Sequence, residues 1–167
     1  MRLIGHSRRI MLAMCALAPS LFVAGCGPAQ VGFTGISRAS TGELIGVVQV
    51  CRSSVDEAVL RVSDGDTKIR WRHSGPVRDF STWPLATGGN GWVRDGDPNL
   101  LREYRDFDLA AYAGNSATTL AVDFTQDSLA NLAVGTVLYF YSPPGSNGYV
   151  TAHVSSLAEF RRIVCSK

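Results

Sequence analysis

The four cysteines are the residues of this 167-residue chain best placed to do chemistry, and their positions give them different tasks. Cys15 lies inside an apolar run from Ile10 to Ala24 that only Pro19 and Ser20 interrupt. Cys26 closes the run Leu21-Phe22-Val23-Ala24-Gly25-Cys26, with Gly27-Pro28 as a non-helical start beyond it. Cys15 would leave with a cleaved secretory leader, and Cys26 stands at the end of that leader. Cys51 and Cys165 then remain as a pair, and two thiols outside the cytoplasm are expected to form one disulfide. The closed loop would exceed a hundred residues, constraining the unfolded chain by about 4 to 5 kcal/mol.

Other chemistry is sparse. Beyond Cys26 the only histidines are His73 and His153. A hydrolase would need one of them beside a carboxylate and a nucleophile, yet no Gly-x-Ser-x-Gly elbow and no Ser-x-x-Lys motif is present. Both are expected to be structural or surface residues, and two cysteines without clustered histidines make a poor metal site. The stretch Asp95-Gly-Asp97-Pro-Asn99-Leu-Leu101-Arg-Glu103-Tyr-Arg-Asp106 places oxygen-bearing side chains at calcium-loop positions 1, 3, 5, 9 and 12. Leu100 stands where the sharp turn needs glycine, Asp106 replaces the bidentate glutamate, and no entering helix precedes it. A solvated polar turn is the stronger expectation, with no metal and no cofactor. Lys68, Arg70 and Arg72 alternate along one strand face and would suit an anionic polymer, while Trp83 and Trp92 flank a glycine-rich loop and would suit a sugar. Simpler expectations are a charged, solvated edge strand and two core tryptophans.

The leader explains the address. Arg2, Arg8 and Arg9 precede the apolar run, and no acidic residue occurs before Glu43. This is the order of a secretory signal, and the run is too short for a comfortable permanent span. Val23-Ala24-Gly25-Cys26 resembles the bacterial lipobox, and the body is similar in style to small lipoproteins of actinobacteria. The resemblance implies lipidation at Cys26, a membrane held through the N-terminal lipid, and display on the extracytoplasmic face. Residues 1–25 are then a signal peptide, 26–30 a short tether and 31–167 a single domain, long enough to bury a core. Of 16 basic residues the three in the leader are lost, leaving 13 against 14 acidic ones. Nothing in that balance favours nucleic acid. Lys68 and Lys167 are the only lysines, a bias that suits a GC-rich genome.

The elements that must position these residues are mostly strands. Glu43 to Cys51 is β-branched and apolar on both faces, as a central strand would be. The Ser40-Thr41-Gly42 turn predicts an earlier strand near Val31 to Ser37. Asp64-Gly65 predicts a two-residue hairpin turn. Counting outward from it pairs Val62 with Thr67, Leu60 with Ile69 and Ala58 with Trp71 on one face. The other face sets Val59 and Arg61 against Arg70 and Lys68, and Glu57 against Arg72. Further strands are expected near 81–85, 91–94, 107–112, 118–124, 136–141 and 149–154. Thr125 to Leu132 reads as a short capped helix, and Ser156 to Glu159 as a capping box, with a final strand toward Cys165 as its competitor.

Many short strands with one or two helices predict an all-β, antiparallel, immunoglobulin-like β-sandwich. Leu132-Ala-Val-Gly135-Thr136-Val-Leu138 resembles the turn before the sixth strand of fibronectin-type and immunoglobulin-like sandwiches, with Leu138 where that family usually has tyrosine. The functional expectation is a membrane-anchored, non-catalytic binding or envelope-structural module, with an envelope protein or polymer as partner. An envelope-associated hydrolase with an unrecognised site is the alternative.

Overall fold

The computed structural model describes residues 27–62, 68–97, 99–143 and 145–166. Cys26, the leader and the Asp64-Gly65 turn lie outside the described residues. β1 (Ala29–Arg38) and β2 (Leu44–Val50) form the first hairpin, in register from Arg38 opposite Leu44 to Gly32 opposite Val50. Gly42 carries φ +85° in its turn, where a side chain would be strained.

β3 (Val55–Val62) and β4 (Lys68–Val77) pair in the register counted outward from the turn: Leu60 faces Ile69, Ala58 faces Trp71 and Glu57 faces Arg72. The physical reason is burial. Ala58, Leu60, Val62, Ile69 and Trp71 are all buried, and a one-residue slip would drive them to the other face.

β5 (Phe80–Pro84) adds to the free edge of β2, and β7 (Trp92–Asp95) adds to β4 with the two-residue β6 (Gly88–Gly89) outside it. β8 (Asp106–Ala113) covers the other edge of β3. β9 (Ala117–Leu120), β10 (Val122–Thr125), β11 (Thr136–Tyr141) and β12 (Thr151–Ser156) complete twelve strands in one sheet. That sheet nearly closes into a barrel. The gap between β5 and the β6–β7 hairpin is bridged by side chains: Asn90 Nδ2 donates to the Thr82 carbonyl at 3.0 Å and Trp92 Nε1 donates to Ser81 Oγ at 2.9 Å.

Four expectations need correction. The sheet is mixed, because β9 runs parallel to the first half of β1, with Ala29 opposite Ala117 and a bulge between Gln30 and Gly32. β11 takes the second half of the same edge, antiparallel, with Gly35 opposite Tyr139. The strand expected over 118–124 is split at Ala121, so that β9 pairs with β1 and with the end of β8, while β10 pairs with the start of β8. There are three helices among the described residues, since α1 (Leu100–Glu103) forms in the stretch expected to be a turn, anchored by buried Leu100. β4 is also no edge strand; β3 and β7 flank it on both sides.

The helices obey their local signals. α2 (Gln126–Ala130) has Thr125 accepting from the Ser128 N–H and Ser128 Oγ accepting from the Thr125 N–H, a reciprocal cap. Arg38 closes its other end by donating to the Leu129 and Leu132 carbonyls. α3 (Leu157–Ile163) starts at Ser156, whose side chain accepts from the Glu159 N–H at 3.2 Å. It outcompetes a final strand because helical spacing sends Phe160 and Val164 into one apolar cluster.

Two apolar layers result. Inside the curled sheet, Trp83 lies 6.0 Å from Trp71 and 4.6 Å from Trp92, centroid to centroid. Gly46 on β2 makes room for the Trp83 ring; a Cβ there would come within 2.4 Å of it. On the outer face of β1, β2 and β11, Val47, Val137 and Tyr139 meet Phe160 and Val164 from α3. Among the described residues no helix is long and apolar enough to cross a membrane.

Candidate functional site

The start of β1 gathers the most unusual features of the chain. β2 ends beside it: the Cys51 N–H donates to the Val31 carbonyl at 2.9 Å, and Arg52 donates from Nε at 3.0 Å and Nη2 at 2.6 Å to the Gln30 carbonyl. α3 then delivers Cys165, and a disulfide joins it to Cys51 with their Cα atoms 5.3 Å apart. The expected staple is therefore present, tying the chain end to the edge of the central hairpin. Cys51 is exposed and Cys165 half-buried, so the bridge sits at the surface. Around it opens a cleft of about 690 Å3, lined by Gln30, Phe33, Cys51, Arg52, Tyr141 and Cys165 among others. The loop between β11 and β12 projects at this same end, because β11 runs antiparallel to β1.

The other sequence candidates scatter. His73 sits edge-on to Trp92 at 5.0 Å; its Nδ1 lies 2.6 Å from the Gly75 carbonyl and 3.3 Å from the Gly75 nitrogen, and Nε2 lies 3.2 Å from the Asn90 carbonyl. Both nitrogens lie within hydrogen-bond distance of the backbone. His153 stacks on Tyr139 and meets Tyr141 edge-on, with Nε2 2.9 Å from the Thr151 hydroxyl. Among the described residues no carboxylate hydrogen-bonds to its Nδ1.

The acidic stretch is drawn apart. Asp95 belongs to β7, Asp97 Oδ1 accepts from the Asn99 N–H at 2.8 Å, and Asp106 opens β8 opposite Thr125. The Leu101 carbonyl already accepts from Gln126 Nε2. Among the described residues no group of three or more His, Cys, Asp or Glu is disposed to hold a metal ion. Trp83 and Trp92 are buried in the core and offer no stacking platform. The basic row is partly spent, since Arg70 forms an ion pair with Glu57 across the β3–β4 pair.

One cluster had no sequence motif. On the outer face of β3, β8 and β10, Asp108 stands opposite Arg61 on one side and opposite Asp123 on the other. Arg61 Nη1 donates to Asp108 Oδ1 at 3.3 Å and to the Tyr112 hydroxyl at 2.6 Å, its guanidinium 5.2 Å above the tyrosine ring. Burial pushes the Asp108 carboxyl above the usual range, Asp123 adds to that, and Arg61 pulls the other way. Burial works against the Arg61 charge, but Tyr112 and Asp108 outweigh it and hold its pKa above the ordinary value. A carboxyl with a raised pKa is a group that acid–base chemistry can use. Here neither histidine hydrogen-bonds to the pair, and of the cluster Asp123 lines the adjoining groove, together with Asp106, Phe107 and Phe124. Only the pairing of β8 with both β3 and β10 would have revealed this cluster, and no local pattern encodes it.

No family model, curated protein or solved structure matches the chain.

Proposed function

We propose that this chain is a lipoprotein, cleaved before Cys26 and acylated on its thiol, whose β domain is held on the extracytoplasmic face of a membrane as a non-catalytic binding or envelope-structural module. The carrying observation is Val23-Ala24-Gly25-Cys26 at the end of a basic-then-apolar leader. The Cys51–Cys165 disulfide supports it, since such bridges persist in oxidising compartments. For the architecture, one curled sheet is favoured over two facing immunoglobulin-like layers, because β1 is shared along one edge by β9 and β11 while β2 holds the other.

The test is Cys26→Ala in the native host. It is expected to leave an unlipidated precursor that no longer partitions into detergent as wild type does. Equal partitioning of cleaved, soluble protein from both would sink the reading.

The second reading, an envelope-associated hydrolase, rests on the Thr151 hydroxyl bonded to His153 Nε2, a nucleophile-and-base contact. It requires a carboxylate at Nδ1 and an oxyanion site. A hydroxyl-directed hydrolase probe that labels wild type but not His153→Ala would favour it.

A further inference from the structure

We infer that the loop carrying Tyr149 and Val150 rests in the headgroup layer of the anchoring membrane, so that the domain stands on the lipid surface with the start of β1 facing down. The inference rests on lipidation at Cys26 and adds to it an orientation and a lipid-contacting surface.

Reach comes first. β1 begins at Ala29, three residues after Cys26, and three extended residues span about 11 Å at most. A thiol held at the membrane surface by its acyl chains therefore brings the first pair of β1 within roughly 11 Å of that surface. The strand cannot drift away on a long tether, because Ala29 is already fixed: its N–H donates to the Ser116 carbonyl at 3.0 Å and it lies opposite Ala117.

The next question is what else lies at that end. Gly35 pairs with Tyr139 in antiparallel register, so β11 travels toward the start of β1 and ends at Tyr141, whose ring is 5.9 Å from Phe33. The connecting loop then returns to β12, where Thr151 stands opposite Tyr141. Tyr149 and Val150 are the last loop residues before that strand, at 76% and 45% exposure. These are large apolar groups left in water at the end nearest the anchor. Two contacts cross the loop: Ser142 and Ser146 hydroxyls are 2.8 Å apart, and the Tyr149 N–H donates to the Ser146 carbonyl at 3.1 Å.

The chemistry suits a lipid surface. Tyrosine has an apolar ring and a polar tip, the combination enriched where hydrocarbon meets headgroups. Arg52, exposed and bonded through Nε and Nη2 to the Gln30 carbonyl, fixes a cation beside the anchor where lipid phosphates would lie. The far end is well separated: β1 has ten residues, so about 30 Å divides its ends. Exposed Val134, bridged to Arg38, marks that distal end and provides the control.

The experiment uses the full lipoprotein, purified from its own membrane in detergent and returned to phosphatidylethanolamine–phosphatidylglycerol vesicles doped with brominated lipid. Mass measurement of the N-terminal peptide reports acylation separately. The three native tryptophans are buried, so a fourth at an exposed site adds a distinct signal. Tyr149→Trp is expected to add emission that shifts to the blue on reconstitution and is lost to bromine quenching. Val134→Trp should add emission that stays water-exposed and is not quenched. An acylated protein in which Tyr149→Trp is not quenched, or in which Val134→Trp is quenched instead, overturns the orientation while leaving the anchor standing. An unacylated N-terminal peptide removes the anchor and the orientation together. Quenching restricted to Tyr149→Trp in acylated protein supports both.

Discussion

Replacing both bridge cysteines, Cys51→Ser with Cys165→Ser, isolates what the staple contributes. The bridge spans 114 residues, and a loop of that size constrains the unfolded chain by about 5 kcal/mol in the entropic account. The folded side of the balance should change little. Cys51 is exposed and Cys165 half-buried, so two serines leave no polar group stranded in the core. α3 has its own hold on the sheet through Phe160 and Val164, at 0% and 4% exposure, each contributing about 1.5 to 3 kcal/mol by burial. The helix is therefore expected to stay docked and the far-ultraviolet dichroism to stay unchanged. A domain of this size loses about 2 to 4 °C of melting temperature per kcal/mol, so the drop should be roughly 10 to 20 °C. In urea the midpoint should fall while the slope rises, because the unbridged unfolded chain exposes more surface. Reductant should reproduce both changes on wild type under native conditions, since the bridge is open to solvent. Thiol labelling of denatured, unreduced protein supplies the independent check. Two labelled thiols from properly exported protein, or coincident melts with and without reductant, would refute the reasoning.

Gly46→Ala should cost about 1 to 3 kcal/mol by overpacking against Trp83, whereas Gly75→Ala, with nothing within 4 Å of the added Cβ, should be close to neutral; equal urea midpoints for the two variants would contradict the packing described. Asp108→Asn should gain stability relative to wild type as pH rises. A carboxyl whose folded pKa is raised contributes stability that is fully present below its unfolded pKa and lost as pH climbs through the folded one. A melting difference between Asp108→Asn and wild type that does not vary across the acid range would show that burial and Asp123 do not act on this group. Cys26→Ala and Tyr149→Trp test the anchor and the orientation as set out above.

What could be read from the residues in advance follows a physical boundary between local and non-local pairing. The β3–β4 register was legible because Leu60, Ile69, Ala58 and Trp71 must share the buried face. The caps of α2 and α3 were legible for the same reason, since Thr125 and Ser156 act on N–H groups three residues away. The parallel pairing of β1 with β9 joins Ala29 to Ala117, and no periodicity says which distant edge a strand will find. α1 was hidden because four residues are too few to show a helical period, and only the burial of Leu100 betrays it.

The same boundary governs the site. The disulfide could be expected because elimination among four thiols needs no geometry, but its position at the start of β1 depends on α3 folding back over the sheet. Lys68, Arg70 and Arg72 suggested an exposed cationic row by strand alternation. Alternation tells which face a side chain takes and not what lies beside it, and the structure places Glu57 there for Arg70. Trp83 and Trp92 were ambiguous for a related reason: an aromatic ring near a glycine-rich loop suits a core or a sugar equally well. The deciding residue is Gly46, some forty positions earlier, whose missing side chain admits the Trp83 ring. A binding face on this domain must then be sought where no strand or helix already occupies the side chains. Among the exposed large apolar residues, Tyr149 and Val150 meet that condition in the loop between β11 and β12, at the end of the sheet where β1 starts.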